Sequence, residues 1–96
     1  MPVRWEVEDK KNVLLLKFEI EGGILEPSEL NEVIQSMPEI RSEKPVCISG
    51  RGPVWLYSAL SIELAKEGDI VATYEPRMNA CIVTSGPMRG QMFKLE

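Results

Sequence analysis

The 96-residue sequence contains no histidine and only two cysteines. Because structural zinc sites are built from four cysteine or histidine ligands, this composition argues against such a site. Cys47 and Cys81 each lie inside a short apolar run, and we therefore expect both to be buried free thiols. The missing histidine also removes the side chain that is best suited to proton transfer near neutral pH.

Long apolar runs and a positive net charge are missing as well. No run approaches the ~20 apolar residues of a membrane-spanning helix, and the first residues lack the pattern of a signal peptide, so we expect a cytoplasmic protein that binds no membrane. The net charge of −4 argues against duplex DNA as a partner. Residues 44–96, however, carry 6 basic and 5 acidic side chains, so a small anion is expected to bind in that half.

The apolar content of 44% is sufficient for one domain over residues 1–96. Apolar runs and alternation predict strands at 3–8, 13–20, 45–49, 69–74 and 79–84, with an optional edge strand at 92–95. Helical spacing predicts one helix between Pro27 and Pro38 and a second that ends at residues 66–68. This order predicts an α+β, ferredoxin-like fold, with one mixed sheet of five or six strands and two helices on one face.

A glycine-rich turn, Ser49-Gly50-Arg51-Gly52-Pro53, joins the third predicted strand to the second helix. Free amides and the dipole at a helix N-terminus attract anions, and glycines let the backbone approach a ligand. A hydroxyl and a guanidinium add further hydrogen bonds. Phosphate binding by Ser49, Gly50, Arg51 and Gly52 is therefore one interpretation of this turn. The other is a plain connection in which the glycines only permit the chain to turn.

A second candidate is Glu75-Pro76-Arg77, in the predicted hairpin loop that follows the fourth strand. The strands that precede the two candidate turns are expected to be parallel, through a right-handed crossover. They then end at the same sheet edge, where Ser49, Arg51 and Arg77 would line one anion site. The alternative for Glu75 and Arg77 is an exposed ion pair in a solvated turn.

Two aromatic residues, Trp55 and Tyr57, begin the second predicted helix. Either ring is suited to stacking on a nucleic-acid base. The alternative is that they belong to the core or to a dimer contact.

The run from Gly50 to Tyr57, GRGPVWLY, followed by the YEPR of residues 74–77, resembles the signature of the CRISPR-associated Csx-three family, also called CRISPR ring nuclease three. The resemblance spans essentially the whole chain and implies the ferredoxin-like fold. It also implies binding of cyclic tetra-adenylate, the second messenger of type III CRISPR defence. The ring would lie between facing surfaces of homodimers that stack into tetramers or higher assemblies, and its manganese-dependent cleavage would switch off the signal.

The resemblance also implies roles for individual residues. Ser49 and the turn of residues 50–52 would contact the ring phosphates, and Arg77 would lie in the opposing catalytic surface. Glu75 stands where the family usually has an aspartate, and would be the catalytic carboxylate and a ligand of Mn²⁺. The family carries histidines in two regions where this chain has Lys66 and residues 84–86. Two further hypotheses stay open: a non-catalytic assembly or sensor module, and a manganese-dependent exoribonuclease that acts on the 3′ ends of short RNA.

Overall fold

The computed structural model describes residues 2–95, which contain six strands and two α-helices. They follow in the order β1 (Val3–Asp9), β2 (Leu14–Ile20), α1 (Leu30–Gln35), β3 (Val46–Ser49), α2 (Val54–Lys66), β4 (Val71–Glu75), β5 (Ala80–Val83) and β6 (Met92–Lys94). Neither helix in this range is long and apolar enough to cross a membrane.

The strands form one sheet in which spatial order follows chain order. The pairs β1–β2, β4–β5 and β5–β6 are antiparallel, whereas β2–β3 and β3–β4 are parallel. A mixed sheet with two helices confirms the predicted α+β fold. The optional edge strand is also confirmed, because β6 pairs with β5.

The two faces of the sheet are packed differently. Because side chains alternate along a strand, Leu16 and Ile48 lie in one apolar cluster, while the preceding residues Leu15 and Cys47 lie in the other. Both helices pack against the first cluster, to which they contribute Val33, Leu56, Leu60 and Leu64. The second cluster contains no helical residue and consists of Val13, Leu15, Cys47, Ala72, Cys81 and Val83. The helices therefore cover one face, as predicted.

The first helix is shorter than its apolar stripe predicted. A 3₁₀ turn occupies Pro27–Glu29, where the Glu26 amide donates a hydrogen bond of 2.8 Å to the Glu29 side chain, and α1 follows with six residues. At its end the Ser36 hydroxyl donates to the Val33 carbonyl at 2.8 Å. Such side-chain bonds to the backbone compete with helix continuation, which explains the early end.

A disulfide joins Cys47 to Cys81, so the expectation of free thiols is wrong although both residues are buried. The bridge connects β3 to β5, which are separated by β4, yet the Cα atoms lie only 6.1 Å apart. Two strand spacings amount to about 9.6 Å. The sheet therefore curves sharply between β3 and β5. The cytoplasmic location expected from the sequence stays a prediction.

Candidate anion-binding site

The Ser49–Pro53 turn lies against the end of β2. Strand β3 ends at Ser49, opposite Lys17, while β2 continues to Ile20. A Cβ atom on Gly50 would lie 2.5 Å from the carbonyl oxygen of Phe18, and one on Gly52 would lie 2.8 Å from the Phe18 ring. Gly50 also has a φ of +156°. The glycines thus let the turn pack against β2, a role different from the ligand approach that the sequence suggested.

Tyr57 of α2 reaches back to hold this turn. Its hydroxyl donates a hydrogen bond of 2.6 Å to the Gly50 carbonyl. Its ring meets Phe18 edge to face, with the centroids 5.5 Å apart. Burial raises the pKa of the Tyr57 phenol. The structure thus places Tyr57 against its own chain, and packs Trp55 beside the helix-covered core.

The turn leaves hydrogen-bond donors without partners. Within residues 2–95, no acceptor receives the backbone amides of Gly50, Arg51 or Gly52. The N-cap of α2 is Pro53, which provides no side-chain cap. Arg51 is exposed and forms no ion pair with the described part of the chain. Three amides and one guanidinium of this turn therefore have no partner among the described residues.

A cavity of about 970 Å³ lies beside the turn, between Arg51 and the β1–β2 hairpin. Three of its lining residues are cationic, namely Arg4, Lys17 and Arg51. Arg4 pairs with Glu19, and Lys17 lies 2.7 Å from Glu8. Of the three lining cations, Arg51 is therefore the one that forms no ion pair among the described residues.

The second candidate turn follows β4 at the same edge of the sheet, because β3 and β4 are parallel and their register pairs Val46 with Val71. There Glu75 accepts hydrogen bonds from the Arg77 amide at 3.1 Å and from Arg77 Nε at 3.3 Å. These bonds lower the pKa of Glu75. Arg77 is 91% exposed and does not line the cavity beside Arg51. One chain therefore does not place the two arginines in one cavity.

Comparison with known proteins bears on both turns. The sequence profile of a family described as "CRISPR-associated protein (Cas_csx3)" matches residues 18–91, more than three quarters of the chain. The chain belongs to this family. The matched range begins at Phe18 and includes both turns. An uncharacterized protein from Aquifex aeolicus (strain VF5) is 28% identical over 88 residues, which cover 86% of this chain and 76% of the relative.

The expected manganese ligand, Glu75, does not form a metal site by itself. Within residues 2–95, no three or more histidine, cysteine, aspartate or glutamate side chains are grouped to hold a metal ion. One Glu75 oxygen is also engaged by Arg77. Because Mn²⁺ prefers several oxygen ligands, one chain of this Cas_csx3 family member does not fit the ion. Further ligands would have to come from substrate phosphates or a second copy.

Local contacts occupy the positions where the resemblance implied histidines. Lys66 lies 3.5 Å from Glu63 on the same helix. The Thr84 hydroxyl donates to the Val71 carbonyl at 3.2 Å, and the Ser85 hydroxyl accepts from the Val71 amide at 2.8 Å. These side chains stabilise α2 and the β4–β5 region, and none of these bonds reaches Arg77.

Proposed function

We propose that this protein binds cyclic tetra-adenylate, with the Ser49–Gly52 turn as its phosphate site. The observation that supports this proposal most strongly is a group of donors, three amides and Arg51, that have no partner within residues 2–95 and lie on a turn packed against Phe18 and Tyr57. Backbone amides before a helix and a guanidinium are the groups that proteins use for phosphate. Membership of a CRISPR-associated family supports the choice of a CRISPR messenger as the ligand.

The ring has several phosphates, whereas one chain offers one such turn. A two-fold dimer would present two turns, and further stacking would enclose the ring. The net charge of −4 supports a compact anion over a long nucleic acid, because only a local group of donors is needed to bind it. We therefore propose a homodimer that stacks into tetramers or higher assemblies around the ligand.

We also propose that the protein opens the ring, with Arg77 stabilising the negative charge that develops on the phosphoryl oxygens. A ribose 2′-hydroxyl aligned with the adjacent phosphodiester attacks phosphorus, and the 5′-oxygen leaves, so a 2′,3′-cyclic phosphate and a 5′-hydroxyl result. A guanidinium aimed at the phosphoryl oxygens stabilises the transition state. Because Arg77 and the Arg51 cavity are separate in one chain, Arg77 would act on a ring that another copy holds. Glu75 would orient the guanidinium through its hydrogen bond to Nε.

A non-catalytic sensor that binds the ring without cleaving it is the second candidate. The chain contains no histidine, so it lacks the usual proton-transfer side chain. The Arg77 guanidinium is also already paired with Glu75. Both observations favour recognition over chemistry.

Incubation of the protein with labelled cyclic tetra-adenylate, with and without Mn²⁺, tests the two candidates together. We expect the wild type to bind at micromolar protein, and Arg51→Ala to weaken binding about tenfold or more, because it removes a charge-assisted hydrogen bond. Arg77→Ala should bind normally and cleave about 100-fold more slowly. Arg89→Ala is the matched control, because Arg89 is another exposed arginine, outside both turns.

The outcomes separate the hypotheses. No binding at micromolar protein would overturn the proposed function. Binding without turnover would identify a sensor, and normal cleavage by Arg77→Ala would remove the role proposed for that residue. A linear oligoadenylate with a blocked 3′ end, compared with the same RNA unblocked, tests the exoribonuclease hypothesis, since only 3′-end trimming depends on a free end.

A further inference from the structure

One hydrogen bond sets the orientation of the peptide plane in the middle of the Ser49–Gly52 turn. The Tyr57 hydroxyl binds the Gly50 carbonyl, and no peptide bond in residues 2–95 is cis. In a trans peptide the carbonyl and the following N–H point in opposite directions. The N–H of Arg51 therefore points away from Tyr57, and in the described chain it has no acceptor.

We propose that Tyr57 is a positioning residue for the anion site, which holds the Arg51 amide towards a bound phosphate without touching the ligand. This inference rests on the proposed function. Glycine at position 50 leaves the neighbouring backbone torsions permissive, and without the phenol no hydrogen bond within the described residues fixes the peptide between residues 50 and 51. The Pro53 N-cap adds no side-chain bond that would replace it.

The position of the phenol is itself determined by packing that does not involve the ligand. The Phe18 ring meets two other rings edge to face, with centroid distances of 5.5 Å to Tyr57 and 6.4 Å to Trp5. Trp5 Nε1 donates to the Ser36 hydroxyl at 2.9 Å, which ties this aromatic row to the end of α1. Burial raises the pKa of Tyr57, so the hydroxyl stays a neutral donor at physiological pH. The turn is thus oriented before any ligand arrives.

Tyr57→Phe tests the inference because it removes only the hydroxyl and keeps the ring against Phe18. Tyr74→Phe is the matched control, since the Tyr74 hydroxyl also makes one hydrogen bond, of 2.7 Å, to the Asn79 side chain. Calorimetry with cyclic tetra-adenylate should show about 5- to 10-fold weaker binding for Tyr57→Phe, which corresponds to one hydrogen bond. Tyr74→Phe should bind within about twofold of the wild type.

A second measurement separates positioning from a merely structural role. In ¹⁵N spectra of the wild type, the Arg51 amide should move downfield when cyclic tetra-adenylate is added, and this shift should shrink in Tyr57→Phe under conditions where the variant is folded. A structural role alone would lower the free energy of unfolding and leave the dissociation constant of the folded protein unchanged.

The results distinguish a failure of this inference from a failure of the proposed function on which it rests. A wild type that does not bind overturns both. Wild-type binding with unchanged affinity in Tyr57→Phe, or with an Arg51 amide that does not move, overturns the inference alone and leaves the proposed function in place.

Discussion

The two candidate turns lie at the same edge of the sheet, after neighbouring parallel strands, yet they differ in how they are supported. The Ser49–Pro53 turn packs against Phe18, receives the Tyr57 hydroxyl and leaves Arg51 unpaired within the described residues. The Glu75–Arg77 turn is bonded mainly to itself, and its arginine is 91% exposed. A preorganised site loses less entropy on binding. For the proposed function, this difference means that the first turn is preorganised for its ligand, whereas the second turn is less prepared for catalysis.

The Cys47–Cys81 bridge connects these two regions. It links β3, which enters the first turn, to β5, which leaves the second. Because the turns share no hydrogen bond or ion pair among residues 2–95, this link and strand pairing keep them at a common edge. Substitutions at the bridge, at the Ser49–Pro53 turn and at the Glu75–Arg77 turn test this difference in support, with successively smaller expected effects.

Opening the disulfide should have the largest effect. The cysteines are 34 residues apart in sequence, and a loop of that length corresponds to about 4 kcal/mol of unfolding free energy in the chain-entropy relation. We expect protein refolded under reducing conditions to unfold at markedly lower urea than oxidised protein. The double variant Cys47→Ala, Cys81→Ala should respond to no reductant. Identical unfolding curves for oxidised and reduced wild type would show that the bridge does not stabilise the fold.

Gly50→Ala should have the next largest effect, about 2–3 kcal/mol of stability, together with loss of anion binding. The added Cβ would meet backbone and ring atoms of Phe18, so the turn must move away from β2. Gly90→Ala is the control, because Gly90 also has a positive φ of +92° but has no atom within 4 Å of the added Cβ. It should lose about 1 kcal/mol from backbone strain alone. Equal losses in thermal denaturation would mean that contact with Phe18 is not what requires glycine.

The smallest effect is expected at Glu75, whose pKa is lowered by the hydrogen bonds from the Arg77 amide and guanidinium. A lowered pKa in the folded state means that the ionised carboxylate stabilises the fold above the ordinary glutamate range. This contribution disappears as the pH falls through that range to the folded pKa. Urea unfolding of wild type and Glu75→Gln should therefore differ slightly at about pH 7 and converge once the pH is below the folded pKa of Glu75. A difference that persists in acid would contradict this ionic origin.

Local patterns in the sequence predicted the order of elements and the positions of both turns. Apolar alternation and helical spacing involve residues that are close in sequence, so they can be recognised without knowledge of the fold. The GRGPVWLY run also carried the family resemblance, which the match over residues 18–91 confirms. The short α1 was missed because the Ser36 bond to Val33 competes with a helix that the apolar spacing alone favours.

The expectations that the structure overturned depend on residues that are distant along the chain. Cys47 and Cys81 look like separate buried thiols until the curvature of the sheet between β3 and β5 brings their Cα atoms to 6.1 Å. The requirement for glycine at position 50 comes from Phe18, and nothing in the local motif identifies that neighbour.

The elements, the family and the charged residues of the two turns could be predicted from the sequence, because they follow from local composition and spacing. Which of those side chains have partners in the folded chain became clear from the three-dimensional structure. Arg51 forms no ion pair in the described chain, and Arg77 pairs with Glu75. The Tyr57 hydroxyl donates to the Gly50 carbonyl. The Glu75–Arg77 pair is local, whereas the contacts of Phe18 with Gly50 and Tyr57 depend on strand register, which juxtaposes residues that are far apart in sequence.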